Sequence, residues 1–393
     1  MFFEILLAII IGVNAGIITG LTPGIHVNLV AIVLVGMVPT LGLVPVNAAM
    51  IIISCALTHT FIDSIPSIYL GAPDADQALG ALPGHRLLLQ GLGHHAVLCT
   101  IYGSLSTLIL SVLFFPFFVQ SMRFIYPIIE EHIEYILMAV LVFMVMREKH
   151  KIKVISLILA AGLTGMLVFE LPLANPLFHM LSGLFGVSIL AVSLAEKAKI
   201  PLQSEEEFYL EKGKKAVTAA TGVGFCAAFL PGLGSSQAAI MAQNIVGDIG
   251  DKGFLTLVGG INTANMVLSL SSAYVLDKAR NGAIIGVREL IGQVSFEYLL
   301  LFLSVILIVG GMAAILASYL SKVFSYLIQK IDYATVVIGV ITIILTLSWW
   351  FDGLLGLIVL LHGTALGILA TKEEIGKHHL MGCLLIPVIF YLS

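Results

Sequence analysis

Long apolar runs broken by short polar stretches organise this chain. Ala96 to Phe118, Ile152 to Leu171, Leu177 to Ala195, Tyr298 to Leu320 and Ala334 to Trp350 each approach the length that crosses a bilayer as a helix, about 20 apolar residues. None of these runs alternates apolar and polar positions, which excludes a β-barrel. The pattern predicts an all-α, polytopic integral membrane protein. Two further apolar segments are interrupted at their centres by proline and glycine. The first carries Thr22-Pro23-Gly24-Ile25-His26, and the second Leu230-Pro231-Gly232-Leu233-Gly234-Ser235-Ser236, with Pro231 following Pro23 by 208 positions. Proline removes a backbone donor and clashes with the preceding turn, so a helix arriving at either motif breaks there. Helices resume over Ile25 to Met37 and Ser235 to Val246.

The interruptions belong to a longer internal repeat. Gly12, Gly16, Gly20 and Gly24 recur every fourth residue, as do Ala220, Gly224, Ala228 and Gly232. Small residues at that spacing let membrane helices approach closely, so the upstream ones read as packing positions. Gly80-Ala81-Leu82-Pro83-Gly84-His85-Arg86 is echoed by Gly282-Ala283-Ile284-Ile285-Gly286-Val287-Arg288. The halves divide as 1–196 and 216–393, joined by a polar connection at 197–215. Paired interruptions in corresponding positions of two hydrophobic halves point to the substrate site of a secondary transporter.

Basic loops stay cytoplasmic. Arg147 to Lys153 and Lys197 to Lys215 are therefore inside, as are the loops marked by Lys322, Lys330, Lys372 and Lys377, while Trp349-Trp350-Phe351 sits at the outer interface. Counting spans puts Arg86 inside, Arg288 outside and the amino terminus outside. The two repeats then have inverted topology, with broken or re-entrant helices, in a multi-pass protein of the cell membrane.

Composition agrees with this reading. The 393 residues are 59% hydrophobic and 11% charged, with a mean hydropathy of +1.08, more apolar surface than one soluble core hides. A net charge of −4 and the absence of a basic, aromatic-interleaved patch argue against nucleic acid. Met1-Phe2-Phe3-Glu4 lacks the positive region of a cleavable signal, so the first helix is expected to be retained. Cys55, Cys99, Cys226 and Cys383 stand singly in apolar sequence and fit neither a disulfide framework nor a metal-ligand spacing. His94-His95 and His378-His379 lack the i, i+4 arrangement of a zinc hydrolase. No Walker loop, nucleophile elbow or dense carboxylate pair is present. The chain reads as a non-enzyme with no resident metal or cofactor other than a coupling proton or sodium ion.

The broken-helix tips carry the candidate chemistry. A half-helix amino terminus presents free N–H groups and positive dipole, which favour an anion. Thr22, Pro23, Gly24, His26 and Asn28 in one repeat, and Pro231, Gly232, Gly234, Ser235, Ser236 and Gln237 in the other, add hydroxyl, imidazole and amide groups without fixed negative charge. These side chains serve equally as helix caps. The next segment of each half is polar too: Thr58-His59-Thr60-Phe61-Ile62-Asp63-Ser64, and Asn262-Thr263-Ala264-Asn265. Polar groups at such depth usually face an interior cavity, which makes Asn262 and Asn265 substrate candidates. His59 and Asp63, one helical turn apart, suit a coupling proton or sodium; mutual hydrogen bonding is the alternative. Arg86 and Arg288 are either gate or anion contacts, or interfacial anchors.

Gly16-Ile17-Ile18-Thr19-Gly20-Leu21-Thr22-Pro23-Gly24, Phe229-Leu230-Pro231-Gly232-Leu233-Gly234, and Ser64 to Asp74 running on to Leu82-Pro83-Gly84-His85-Arg86 resemble the large membrane subunit, TctA type, of the tripartite tricarboxylate transporters. The resemblance spans the chain in order. It implies a di- or tricarboxylate-like organic anion driven by an ion gradient, with a small membrane subunit and an extracytoplasmic binding protein as partners; a homodimer is compatible with the chain. His26 and Asn28 depart from the family's small or hydroxyl residues, and the chain is short, like compact stand-alone archaeal relatives. The alternative substrate is a polyprenyl-phosphate lipid carrier, whose phosphate suits the same donors.

Overall fold

A computed structural model describes residues 2–22, 27–71, 77–195, 200–204, 208–229, 235–279, 281–330 and 332–392. The described residues form helices and connections, without strands. The first half contains α1 (Phe2–Leu21), α2 (Val27–Leu41), α3 (Pro45–Ile62), α4 (Ser64–Tyr69), α5 (Ala81–Leu89), α6 (Gly93–Leu113), α7 (Phe115–Glu130), α8 (Ile133–Met146), α9 (Lys151–Glu170), α10 (Pro176–Leu181) and α11 (Ser188–Ala195). A π-helical segment, Ser182–Val187, joins the last two. The second half contains α12 (Gly213–Phe229), α13 (Ser235–Val246), α14 (Gly250–Val275), α15 (Gly282–Ile291), α16 (Phe296–Ile328), α17 (Tyr333–Lys372) and, after a 3-10 turn at Lys377–Met381, α18 (Gly382–Leu392). Eight of the described helical stretches are long and apolar enough to cross a membrane, and the chain is a multi-pass membrane protein.

The helix ends follow the local chemistry. α1 and α12 stop before Pro23 and Pro231, and α2 and α13 begin beyond those motifs. Asn281 and Ser295 cap α15 and α16 by accepting from Ile284 N and Tyr298 N, satisfying donors that have no intrahelical partner. The apolar run from Ala96 to Phe118 is not one helix, as its pattern suggests. α6 ends at Leu113 and α7 starts at Phe115, because Pro116 cannot supply the N–H that would continue the ladder.

Small residues bring the broken helices against their successors. A Cβ at Gly12, Gly16 or Gly20 would lie 2.5, 2.6 or 2.7 Å from atoms of Ser54, Thr58 and Ile62, respectively. α1 and α3 are therefore in close contact and run parallel. In the second half a Cβ at Gly224 would meet Ala264 at 2.4 Å, Ala220 touches the space over Gly260, and Ser272 Oγ donates to Ala228 O. α12 and α14 thus repeat the parallel arrangement. Between the halves, α3 packs on α15 and α16, while α14 packs on α5 and α6. The α6–α14 seam is especially tight: a Cβ at Gly103 would stand 2.0 Å from Thr256 O, and Ser104 Oγ donates to Gly259 O.

α17 is a hairpin rather than one rod. Asp352 and Gly353 leave helical geometry, with φ of −137° and +57°, and a Cβ at Gly356 would lie 2.8 Å from Ser348 O. Eight residues of straight helix would separate those positions by about 12 Å, so the limbs 333–351 and 354–372 fold back on each other. The apolar run ending at Trp350 is the first limb. Asp352 locks this turn to the start of α10, accepting from Ala174 N, Asn175 N and His179 Nε2, while His179 Nδ1 meets Ser348 Oγ at 2.8 Å. The π-helical segment supports the second limb through Gly183, where a Cβ would stand 2.4 Å from Leu360 O.

α14 sets the two ends of the bundle. Its 26 residues rise about 39 Å. At its amino end Asp251 pairs with Arg86 at 2.6 Å; just past its carboxyl end Asp277 pairs with Arg288 at 2.6 Å, and Lys278 with Glu130 at 2.6 Å. Donation to Glu130 and Tyr126 holds the Lys278 ammonium above its ordinary range.

Candidate functional site

A buried polar cluster lies where α3 of one half meets α14 of the other. Asp63 follows the last residue of α3, and its amide donates to His59 O, so the chain passes into α4 almost without interruption. Its carboxylate accepts from two amides, Asn262 Nδ2 on Oδ2 at 2.8 Å and Gln77 Nε2 on Oδ1 at 3.1 Å. Asp63 is 2% exposed and Asn262 4%. Removing a carboxylate from water costs several kcal/mol, and these two amide donors offset part of that cost. Beside it, Thr60 Oγ1 and Thr263 Oγ1 are 3.3 Å apart, and His59 Nδ1 is 3.0 Å from Thr19 Oγ1 near the end of α1.

The height of this cluster follows from the helix that carries it. Asn262 stands about twelve residues from either end of α14, hence roughly 18 Å from each by helical rise. A Cβ on Gly20 would lie 3.3 Å from Asp63 N. The end of α1 is thus level with the carboxylate. The end of α12 reaches the same helix at Ser272, about 15 Å along α14 from Asn262.

The structure brings together some of the residues singled out in the sequence. Asp63 and Asn262 are directly bonded, and His59 is one turn before Asp63, its ring on Thr19. Ser235 opens α13 and is buried. Asn28 is on the other side of the first break, where its side chain occupies the space over Gly282 at the start of α15. Thr22 is half-buried and its amide donates to Ile18 O; Asn265 accepts Ser269 Oγ through its carbonyl. Arg86 and Arg288 are paired with carboxylates at opposite ends of α14 and do not join the central cluster. Pro23, Gly24, His26, Pro231, Gly232 and Gly234 lie outside the described residues, as do the side chains of Ser236 and Gln237.

Four members of the cluster, Gln77, Thr19, Thr60 and Thr263, were not singled out as site residues from the sequence. Gln77 sits in a short polar connection with no periodicity, and only the fold turns it towards Asp63. Thr19 and Thr60 were visible as polar positions inside apolar helices, but the side-chain direction that selects Thr60 for Thr263 depends on how α3 crosses α14.

Comparison with known proteins matches nearly the whole chain to one family. The family model described as "Tripartite tricarboxylate transporter TctA family" matches residues 6–382. "Uncharacterized protein MJ1079" of Methanocaldococcus jannaschii is 29% identical over 397 residues, covering 98% of this chain and 98% of its own. No solved structure matches. With the match running through both halves and every helix from α1 to the start of α18, the chain belongs to the tripartite tricarboxylate transporter TctA family, a family of transporters.

Proposed function

We propose that this protein is a secondary active transporter that moves a di- or tricarboxylate-like anion across the cytoplasmic membrane, coupled to a proton or sodium gradient. The observation that carries the reading is Asp63, held at mid-height by Asn262 of the other half. Substrate and ion sites of repeat-built transporters lie near the midplane, at the interface between the repeats. Asp63 with His59 is the coupling group in this reading. The amide ends of the half-helices at 22–28 and 231–237 supply the anion donors, as helix amino termini do for anionic groups.

Alternating access follows from an inverted repeat. Arg86 and Arg288 occupy matching sequence positions yet pair at opposite ends of α14. α1 runs parallel to α3 and α12 parallel to α14, while α3 and α14 exchange partners between halves. Such reciprocity is expected of two units related by a two-fold axis in the membrane plane. With the Arg86 end inside, Arg147, Lys153, Lys212, Lys322 and Lys372 share one face, as basic loops do. That orientation places the amino terminus outside. The family's tripartite organisation makes a small membrane subunit and an extracytoplasmic binding protein the partners to seek.

The test is uptake by proteoliposomes under an imposed proton or sodium gradient, combined with thermal-shift screening against di- and tricarboxylates, inorganic phosphate and polyprenyl phosphates. A carboxylate should raise the melting point and accumulate, and Asp63→Asn should abolish gradient-driven accumulation. Stabilisation by polyprenyl phosphate alone would replace the carboxylate reading with lipid translocation. An Asp63→Asn protein with the parent's rate and gradient dependence would remove Asp63 from coupling.

A further inference from the structure

At the Arg86 end of the bundle, well away from Asp63, three metal-ligating side chains that are remote in sequence converge. Glu148 lies in the short connection between α8 and α9, and His378 and His379 in the 3-10 turn that leads into α18. His379 Nε2 is 3.0 Å from Glu148 Oε1, and His378 Nε2 is 3.8 Å from the same oxygen. One ligand atom of each residue lies within 4.8 Å of the other two. His379 is fully buried, whereas the side chains of Glu148 and His378 are 35% and 36% exposed, so the group opens to solvent on one side.

A single hydrogen bond between Glu148 and His379 accounts for only part of this arrangement. It leaves His378 lying over His379, ring centroids 4.0 Å apart, with its Nε2 turned to a carboxylate oxygen already engaged. His379 Nδ1 is buried without a hydrogen-bond partner among the described residues, so the nitrogen offered to the group is Nε2. The His378 ring keeps its place because position 376 is glycine: a Cβ there would lie 2.4 Å from His378 Cε1. The backbone beneath is equally constrained. A Cβ on Gly165 of α9 would stand 1.8 Å from Cys383 O, and one on Gly382 would stand 2.8 Å from Ile158 O. α9 and α18 are thus locked together, which fixes the histidines relative to the connection that carries Glu148.

Two imidazoles and one carboxylate form a recognised ligand set for zinc, with the fourth position left to water. Bonds of about 2.0–2.1 Å in a tetrahedral shell place neighbouring ligand atoms about 3.3 Å apart. The observed 3.0 and 3.8 Å bracket that edge. Of the lysines around the group, Lys153 is paired with Glu373 at 2.7 Å and Lys377 Nζ donates to Ser188 Oγ at 2.7 Å. We propose that Glu148, His378 and His379 bind a divalent transition-metal ion of the zinc type, which clips the start of α18 to the α8–α9 connection.

The experiment uses the tag-free, full-length protein, stripped with chelator and titrated with Zn2+ by calorimetry, with metal content measured after dialysis. One ion per chain should be retained, and the melting point should rise with free Zn2+. Outer-shell partners alone are worth about 10–100-fold in metal affinity. Losing a ligand in His378→Ala, or in Glu148→Gln, should therefore weaken binding by about a hundredfold or more. Should His378→Ala lose its fold, His378→Gln provides the same deletion with the volume retained. Co2+ in place of Zn2+ should give the visible absorption of a tetrahedral site in the parent and lose it in the variants. Sub-stoichiometric binding, or affinity and Co2+ spectra unchanged by these substitutions, would overturn the proposal. Neither readout depends on transport.

Discussion

The bond between Asp63 and Asn262 can be weighed directly by a double-mutant cycle. Asp63→Ala, Asn262→Ala and the double variant would be unfolded at equilibrium in detergent micelles, and the interaction energy taken from the departure from additivity. Both partners are buried and the 2.8 Å bond ends on a carboxylate, conditions under which a hydrogen bond contributes about 1.5–3 kcal/mol. Interhelical hydrogen bonds within membranes average only about 0.6 kcal/mol, with about 1.7 as the largest measured in one such protein. The coupling here should stand near or above that upper figure. Each single variant should cost more than the coupling itself, because it leaves a buried polar group with one donor or acceptor fewer. The control cycle pairs Arg86→Ala with Asp251→Ala. That bond is shorter, 2.6 Å, but its side chains are 54% and 33% exposed, and exposed ion pairs give about 0–1 kcal/mol. A central coupling below about 0.6 kcal/mol, or no greater than the control, would refute the claim that Asp63 is held across the two halves.

Two further outcomes follow from packing and charge. Gly103→Ala places a methyl group 2.0 Å from Thr256 O, whereas Gly311→Ala meets nothing within 4 Å. The first should cost about 1–3 kcal/mol by overpacking, the second should be neutral or gain about 0.4–1 kcal/mol, and equal melting points would contradict the α6–α14 seam. The hydrogen bond and charge of Lys153 hold the Glu373 carboxyl below its ordinary value of 4.5. A depressed carboxyl stabilises the fold above its ordinary value and loses that contribution as pH falls through its folded value. A small melting-point deficit of Glu373→Gln at neutral pH should therefore vanish under acid conditions; a deficit that persists there would count against the pairing.

Membrane class, the helix breaks and the doubled motifs were legible in the sequence because each is a local property. Apolar run length decides whether a segment crosses a bilayer, and proline with glycine decides where a helix stops. α1 and α12 accordingly end where Pro23 and Pro231 require. The packing role of Gly12, Gly16 and Gly20 was also readable, since a four-residue spacing of small side chains has one common use. What the sequence could not determine were relations between distant segments. That Asp63 would meet Asn262 depends on how α3 crosses α14, that His59 would turn to Thr19 on how α1 packs along α3, and that Arg86 would reach Asp251 on how α5 meets the start of α14. The α17 hairpin shows the same division. Its apolar residues are uninterrupted enough to read as spans, but the reversal at Asp352 and Gly353 is held by Ala174, Asn175 and His179 from another hairpin. Local physics chose the elements; which of them became neighbours was settled only by packing between helices, where a buried group such as Asp63 finds its partner on another segment.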